Sequence, residues 1–344
     1  MTTTIAAPAA SAAHVTPERI MQLAWAYAAP LMLEAAIRHR VFDVLDNGPM
    51  NLDQLAEATG TSRRGLAAIA NALVGLAFLS KDSEENYSLT AESSAFLVST
   101  KPSFQGGIIR HTSEQLLPNW LKLNQAVATG KPLRSVNEEK QGGEFFHEFV
   151  ADLFPMNYPI ARELAAHLDL ASGGPATVLD LAAGSGVWSI ALAQSAGQVR
   201  VTAVDWPEVI DVTRRTAAKF GLEDRYTFVA GDLLQADFGS GHAAATLGHI
   251  LHSEGERRSK SLLAKTFDAL APGGTIAIAE FLVDADRRGP LGGLLFAVNM
   301  LVNTDEGGTY SFDEISAWLI EAGFVEPRLL PVKGPSPLIL ATRP

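Results

Sequence analysis

The chain has 344 residues, 47% of them hydrophobic, with no cysteine and a formal net charge of −11 at pH 7. The lack of cysteine excludes disulfides, a thiolate nucleophile and cysteine-bound zinc, and it fits a reducing compartment, so we expect a cytoplasmic protein. The acidic balance argues against a nucleic-acid partner, because binding to a phosphate backbone is driven by clustered Lys and Arg. No long uninterrupted apolar run and no signal-like start are present, so we expect no membrane partner.

The first part of the chain is predicted to be a short tail followed by helices. Residues 1–15 are rich in Ala and Thr, and we predict that they form a disordered tail. Thr16 then starts a helix whose apolar side chains recur at helical spacing until Pro30 interrupts it. The next segment, 31–45, is apolar on most sides, and a helix with so few polar positions needs burial on two faces. This segment therefore predicts a subunit interface and a homodimer.

A helix-turn-helix pattern occupies residues 51–76, and residues 78–89 are typical of a small β-wing. Winged helices often bind DNA. Here the second helix offers only Arg63 and Arg64 before it turns apolar, whereas a recognition helix needs several exposed polar or basic side chains. We therefore predict a helical winged-helix domain over 16–103 that does not bind DNA. A ligand-sensing DNA-binding regulator is the alternative from another class.

Residues 104–172 carry many aromatic side chains, and we predict a helical linker that lines part of an apolar pocket. Over 173–344 the pattern changes to alternating strands and helices. These are predicted over 177–181, 187–194, 199–204, 207–220, 226–229, 243–247, 255–270 and 275–280. Such alternation predicts an α/β fold with a doubly wound, mostly parallel sheet. A capping box at Ser311 and Glu314 then starts a last helix, and a hairpin closes the sheet.

The most informative stretch runs from Val178 to Gly186, where a predicted strand ends on Asp180 and a small-residue loop opens a helix. A second strand ends on Asp205. Such a unit binds a nucleoside, because glycine lets the ligand approach the backbone and the second carboxylate can accept from ribose hydroxyls. Ser189 replaces the third Gly of the dinucleotide fingerprint, so a sulfonium nucleoside, attracted by Asp180, fits better than a pyrophosphate. A simple helix cap is the alternative role for either Asp.

These residues resemble the class I S-adenosylmethionine-dependent O-methyltransferases of the bacterial and plant type, which include acetylserotonin O-methyltransferase. The resemblance extends more loosely to the amino-terminal winged-helix dimerisation domain, and it implies S-adenosylmethionine as the cofactor. The residues implied in cofactor binding are Asp180, Gly184, Gly186, Asp205, Trp206, Asp232, Leu233 and Gly248. Ala182 stands where the family has glycine, and alanine is costly there if the position needs a positive φ.

Two further residues are predicted to carry the chemistry. His252 follows the fourth predicted strand and Glu280 ends the fifth, so both should lie at the carboxyl edge of the sheet. A histidine there can take a proton from an attacking hydroxyl, and a carboxylate on its other nitrogen fixes the tautomer. The family has its base and orienting glutamate at this separation. The alternatives are His249 as base, Glu280 as a mere ion-pair partner, or a metal site that includes Glu254 and Glu256, for which the spacing is poor.

Two departures from the family pattern weaken the expected base catalysis. Ser253-Glu254 replaces the usual Asp-Trp, and Thr309 stands where a second catalytic glutamate is usual. Since holding a nucleophile in line with a reactive methyl is itself a large part of catalysis, positioning is the alternative to base chemistry.

The expected substrate-lining residues are Met156, Phe296, Asn299, Met300 and Asn303. The two asparagines, one helical turn apart, would hydrogen-bond a polyoxygenated ring, and the apolar three would form walls; surface capping and plain core packing are the alternatives. The sequence thus predicts methyl transfer to a hydroxyl of a small aromatic or polyketide-like metabolite, with no metal. C-methylation, or a cofactor-retaining reaction without methyl transfer, is the alternative within the family.

Overall fold

The computed structural model describes residues 15–137, 139–334 and 336–344. The tail predicted at the start of the chain lies outside the described residues, except for its last one. The chain divides between Thr90 and Ala91 into two compact units. The middle region predicted over 104–172 and the sheet region predicted over 173–344 belong to the same unit.

The amino-terminal unit combines five helices with a two-stranded hairpin in its described part. These elements are α1 (Glu18–Trp25), α2 (Ala28–Arg38), α3 (Val41–Leu45), α4 (Leu52–Thr59), α5 (Arg63–Gly75), β1 (Leu79–Lys81) and β2 (Tyr87–Leu89). Asn51 caps α4 by accepting from the N–H groups of Asp53 and Gln54, and Ser62 caps α5 through the N–H of Gly65. The strands pair antiparallel. The predicted helix-turn-helix and wing are therefore present.

The first helices differ from the prediction. The first one ends at Trp25, and Pro30 lies in the first turn of α2, where a missing backbone N–H removes no hydrogen bond. The apolar segment predicted over 31–45 is also broken, because Arg40 adopts a left-handed φ of 58° between α2 and α3. A proline can begin a helix as readily as end one, and here it begins one.

The stretch Glu18–Arg38 exposes an apolar face. By length and composition it is the one helical stretch among the described residues that could cross a membrane, and only 6% of its most apolar window is buried within the chain. The exposed large side chains on it include Ile20, Met21, Leu23, Trp25, Tyr27 and Leu31. Charged residues such as Glu34 interrupt it, and a face of this kind is typical of a helix that packs against a second protein surface.

The second unit is built on one sheet. Its strands in the described chain are β3 (Ala176–Leu181), β4 (Val199–Asp205), β5 (Tyr226–Ala230), β6 (His242–Gly248), β7 (Leu270–Ala279), β8 (Val325–Leu330) and β9 (Leu338–Thr342). Their spatial order is β5-β4-β3-β6-β7-β9-β8. Strands β3 to β7 run parallel and the last two form the antiparallel hairpin. This confirms the predicted α/β fold class.

Helices cover both faces of the sheet. The helices of this unit in the described chain, on the sheet and beside it, are α6 (Ala91–Phe96), α7 (Gly106–His111), α8 (Leu117–Trp120), α9 (Leu123–Thr129), α10 (Glu139–Phe149), α11 (Phe154–Leu168), α12 (Val187–Ser195), α13 (Pro207–Lys219), α14 (Leu251–Ala269), α15 (Leu291–Asn303) and α16 (Phe312–Glu321). A π-helical turn, Thr112–Leu116, joins α7 to α8. One core cluster packs α11, α12 and α13 on the sheet, and a second packs α14 and α16 on the opposite face. This burial on both faces explains why the central strands are apolar along nearly their whole length.

The strand order places a crevice at the carboxyl ends of β3 and β6. From these neighbouring strands the chain crosses over in opposite directions, to β4 on one side and to β7 on the other, and α/β sheets bind ligands at such a switch point. Helix α14 begins there at Leu251, four residues before the predicted start. Gly255, with φ 74° and ψ 167°, breaks this helix into one short turn and a long body. His252 therefore lies on the short turn, beside the crevice.

Candidate active site

A cavity of about 250 Å³ opens at this crevice, and the described residues that line it all belong to the second unit. The predicted site residues on its wall are Met156, Gly184, Asp205, Trp206, Asp232, Leu233, Gly248, His252, Phe296, Asn299, Met300 and Asn303. Three others, Asp180, Gly186 and Glu280, are not on the wall. A single cavity therefore joins the predicted nucleoside-binding residues to the predicted base and substrate residues.

The loop between β3 and α12 turns through three left-handed residues. Ala182, Gly184 and Gly186 have φ values of 51°, 57° and 74°. Since a Cβ in this conformation costs roughly 1 kcal/mol, Ala182 is strained where the family has glycine. Gly186 packs the loop on α13, because a Cβ there would lie 3.0 Å from Thr213. Gly184 faces the cavity, as predicted.

Asp180 does not reach the cavity. Side chains alternate along β3, and Asp180 points to the face that α12 covers, where it is completely buried. Its carboxylate accepts from the hydroxyl and backbone N–H of Ser189 and from the hydroxyl of Thr246 at 2.7 Å. Burial raises the pKa of Asp180 to about 6, against the effect of these hydrogen bonds. Because Ser189 lies in the first turn of α12, Asp180 accepts from a backbone N–H at the start of that helix, and its contact with the cofactor stays a prediction.

Asp205 faces the cavity at the end of β4. Its two oxygens accept from the backbone N–H groups of Gly184 and Trp206, each at 2.8 Å, so the carboxylate is fixed against the Gly-rich loop. Burial nevertheless raises the pKa of Asp205 to about 7, and the nearby Asp180 adds to this effect. Each oxygen has a second lone pair, which leaves capacity to accept from two ligand hydroxyls.

The end of the cavity next to β5 contains an ion network that the sequence did not reveal. Arg258 donates to Asp232 at 2.7 Å and to Glu254 at 2.5 Å, and it lines the cavity with both acids. Asp232 also accepts from the N–H of Leu234. The predicted adenine-binding carboxylate is thus held in place by Arg258, which stands on the long body of α14, four residues after Glu254 and beyond the break at Gly255. Glu254 is mostly buried because it pairs with this arginine.

His252 and Glu280 form a direct pair. The Nδ1 of His252 lies 2.7 Å from Oε2 of Glu280, and the backbone N–H of His252 donates to Oε1 at 3.2 Å. Burial would raise the pKa of Glu280, but the charge and hydrogen bonds of His252 outweigh it and hold that pKa below its usual value. The carboxylate is therefore ionised at neutral pH, and it fixes the tautomer in which Nδ1 carries the proton and Nε2 has a lone pair. The ring of Phe296 packs edge-on against the imidazole at 4.8 Å.

The alternatives to this pair find less support. His249 has a φ of 60°, its Nε2 is already bonded to Ser336 at 2.8 Å, and burial lowers its pKa to about 4, which makes it a poor base. No group of three or more metal-ligating side chains occurs among the described residues. Thr309 is buried next to Gly308, whose N–H donates to the carbonyl of His252, and it does not line the cavity. No second carboxylate therefore stands where the family has its other glutamate.

The two predicted asparagines are buried and belong to a network between helices. Oδ1 of Asn299 accepts from Nε1 of Trp120 at 2.9 Å and from Nδ2 of Asn303, and Oδ1 of Asn303 accepts from Asn119 at 2.6 Å. This excludes the surface-capping alternative. Within the described chain, Nδ2 of Asn299 has no partner, so this asparagine retains a donor at the cavity wall.

Other cavity residues were missed because their elements lie far apart in the sequence. They include His111, Asn157 and Trp188, from α7, α11 and α12. The indole of Trp188 explains why residue 248 is glycine, since a Cβ at that position would lie 1.9 Å from the indole nitrogen. Asn157 is mostly buried, and its Oδ1 has no hydrogen-bond partner among the described residues. An unpaired buried acceptor on a cavity wall fits a ligand with a hydrogen-bond donor, such as the amino group of S-adenosylmethionine.

Fold and site together define a class of protein: a nucleoside-binding α/β enzyme with a buried histidine–carboxylate pair at the switch point. Comparison with protein families assigns the chain within that class. Residues 136–325 match the O-methyltransferase domain and residues 21–99 match the O-methyltransferase dimerisation domain. The chain belongs to the O-methyltransferase family. The predicted enzyme class and S-adenosylmethionine dependence are those of this family.

Individual relatives agree with this assignment. The chain is 32% identical to 3-hydroxy-5-methyl-1-naphthoate 3-O-methyltransferase of Streptomyces sahachiroi, over 88% of each chain. It is 30% identical to the tetracenomycin polyketide synthesis 8-O-methyl transferase TcmO of Streptomyces glaucescens, over 95% of this chain and 97% of the relative. Human N-acetylserotonin methyltransferase, solved in complex with SAM, has the same fold, with a TM-score of 0.85 at 23% identity over 97% of this chain and 99% of that one.

Proposed function

We propose that this enzyme methylates a hydroxyl of a small aromatic or polyketide-like metabolite, with His252 as general base. The observation that carries the proposal is the single cavity that joins Asp205 and Gly184 to the His252–Glu280 pair. An enzyme that brings a nucleoside and an acceptor together needs nucleoside-binding residues and a general base in the same cavity.

The cofactor is S-adenosylmethionine, which supplies an electrophilic methyl group when bound. Asp205 would hold its ribose hydroxyls, Asp232 and Leu233 would contact the adenine, and Trp206 would cover one face of the ring. Asn157 would accept from its amino group. The left-handed Gly184 lets the ligand approach the backbone closely.

His252 would take the proton that the acceptor hydroxyl loses. Its Nδ1 is bonded to Glu280, so the proton is taken at Nε2, and the resulting imidazolium is stabilised by the ionised carboxylate. With Thr309 at the usual place of a second glutamate, one His–Glu pair does this work. Positioning of the hydroxyl by the apolar walls therefore contributes a larger share.

The acceptor is proposed to be aromatic because of the residues that would surround it. Phe281 and Phe296 pack 4.3 Å apart beside His252, and Met156 and Met300 complete an apolar wall. Nδ2 of Asn299 would donate to a carbonyl or hydroxyl oxygen of the acceptor. Two relatives named above act on a naphthoate and in tetracenomycin polyketide synthesis, which is consistent with a ring of this kind.

We further propose that the enzyme is a cytoplasmic homodimer. The dimerisation domain includes most of the stretch Glu18–Arg38, and its exposed apolar side chains need a partner surface. A DNA-binding role is not favoured, since the second helix of the helix-turn-helix, α5, presents no basic surface beyond Arg63 and Arg64.

Incubation with methyl-labelled S-adenosylmethionine and a panel of phenols and naphthols tests the proposal. We expect label on oxygen in at least one product. Label on carbon would make the enzyme a C-methyltransferase. Cofactor binding with no transfer to any member of the panel would support the cofactor-retaining alternative, and no cofactor binding would refute the whole assignment.

A further inference from the structure

His111 forms a second polar position in the cavity, contributed by helices outside the sheet. It is the last residue of α7, it lines the cavity, and only 7% of it is exposed. Its ring stacks on Phe149 at 3.7 Å, and the edge of Phe145 lies against it at 5.5 Å between centroids. The two rings therefore fix the plane of the imidazole.

The hydrogen bonds around His111 fix its tautomer. Nε2 of Gln115 donates to the backbone carbonyl of Phe145 at 3.1 Å, which sets the direction of the amide. Oε1 of Gln115 then faces Nδ1 of His111 at 2.5 Å. Because an amide oxygen only accepts, Nδ1 must carry the proton and Nε2 must have a lone pair.

That lone pair has no protein partner in the described part of the chain. Unlike Oδ1 of Asn157, which is unpaired and closed off from solvent, Nε2 of His111 keeps some accessible surface. Since His111 lines the cavity, a ligand inside can reach this nitrogen. The next residues form the π-helical turn, a feature that is frequent at functional sites.

The surroundings favour a neutral imidazole. Burial lowers the pKa of His111, and this outweighs the opposing effects of the Gln115 bond and of Asp152. Asp152, moreover, is already paired with Arg110. A neutral imidazole with Nδ1 occupied can only accept at Nε2, so it selects a ligand that donates a hydrogen bond and not a carboxylate.

We infer that Nε2 of His111 accepts a hydrogen bond from a second, remote hydroxyl of the aromatic acceptor. The substrate class would then be a fused-ring aromatic with at least two hydroxyls, one presented to His252 for methylation and one held by His111. This inference rests on the proposed function and narrows its substrate. It makes His111 a recognition residue, while the proton transfer stays with His252.

The test is a comparison of ligands that differ by one hydroxyl. Binding of 2-naphthol is compared with binding of the dihydroxynaphthalene isomers that carry one hydroxyl at position 2 and a second hydroxyl elsewhere. Both are measured by calorimetry, on the full chain saturated with S-adenosylhomocysteine. We expect at least one isomer to bind about five- to tenfold more tightly than 2-naphthol. His111→Phe keeps the ring stack and removes the acceptor, so it should lower the affinity for that isomer to the variant's affinity for 2-naphthol. His167→Phe, at an exposed histidine outside the cavity, is the matched control.

A second readout does not depend on affinity. In a ¹⁵N spectrum of the imidazoles, assigned with His111→Phe, we expect His111 Nε2 to be unprotonated and to shift on binding the preferred isomer but not on binding 2-naphthol. Equal affinity for all naphthols, or a preference that survives in His111→Phe, would overturn the inference. If the wild-type enzyme does not bind S-adenosylhomocysteine at all, the proposed function itself is refuted, so the two failures are distinguishable.

Discussion

The two halves of the cavity are built in different ways. The half proposed to bind the cofactor, here called the cofactor half, comes from strand ends and the loops that follow them, so Gly184, Asp205 and Asp232 appear along the chain in the order of the fold. The half proposed to bind the acceptor comes from separate helices, which contribute His111 and Asn299. The difference shows that strand ends place side chains by topology, whereas helices place them by tertiary packing.

The largest effect is expected from removing the proposed base, which should slow methyl transfer and leave the cofactor half of the cavity intact. His252→Ala should lower kcat by about 10²- to 10⁴-fold, because the general base is lost, with the Kd for S-adenosylhomocysteine nearly unchanged. Turnover and calorimetric binding are measured on the same preparation. An unchanged kcat would mean that positioning alone drives the reaction.

The next effect tests the cofactor half through pH. Asp205 accepts from two ribose hydroxyls best when its carboxylate is ionised. In the enzyme without ligand, burial raises the pKa of Asp205 to about 7, so the carboxyl is protonated below that pH. Raising the pH through 7 removes the cost of ionising it, so S-adenosylhomocysteine should bind more tightly at pH 8 than at pH 6, by up to about tenfold. Asp205→Asn should bind about 10- to 100-fold more weakly and lose most of this pH dependence. A wild-type affinity that does not change with pH would argue against Asp205 as the ribose acceptor.

A smaller effect tests whether Asn157, a helical residue, contacts the cofactor. Asn157→Leu removes an unpaired buried acceptor, so the variant without ligand should be more stable to urea by about 1 kcal/mol. If Asn157 holds the cofactor amino group, the same variant should bind S-adenosylhomocysteine about tenfold more weakly. Greater stability with unchanged binding would assign Asn157 to the scaffold alone.

The smallest effect sharpens the description of the Gly-rich loop. Ala182 has a φ of 51°, and Ala182→Gly should relieve strain and raise the free energy of unfolding by up to about 1 kcal/mol, offset in part by the added backbone freedom of the unfolded chain. Ala183→Gly, one residue on and without a positive φ, is the matched control and should not stabilise the protein. Denaturation in urea measures both.

Sequence reasoning was most successful where the pattern has a physical period. The central strands, buried on both faces, read as apolar runs, and the capping box at Ser311 and Glu314 marks a helix start in the sequence as in the structure. It was wrong about Pro30, because proline restricts φ and lacks an N–H in the same way whether it begins or ends a helix.

Within the site, the sequence placed Asp180 at a strand end but did not show that its side chain is buried away from the cavity wall. Strand alternation turns its carboxylate toward α12, and only the packing of that helix shows that Ser189 lies there to meet it. Arg258 was missed for a similar reason. Its partners Asp232 and Glu254 come from a strand end and a helix start, and the kink at Gly255 sets how they meet.

The amino-acid sequence by itself determined the α/β sheet and the placement of His252 and Glu280 at neighbouring strand ends, because these follow from chain order and short-range periodicity, and the resemblance to the family paired the two residues. Only the tertiary structure decided which helical side chains line the cavity. His111 and Asn299 lie far apart in the chain, and their hydrogen-bonding groups are oriented by distant residues: Trp120 donates to Asn299, and the carbonyl of Phe145 sets the amide of Gln115 that faces His111. Such directions depend on how helices pack against one another, and no local spacing in the sequence records that packing.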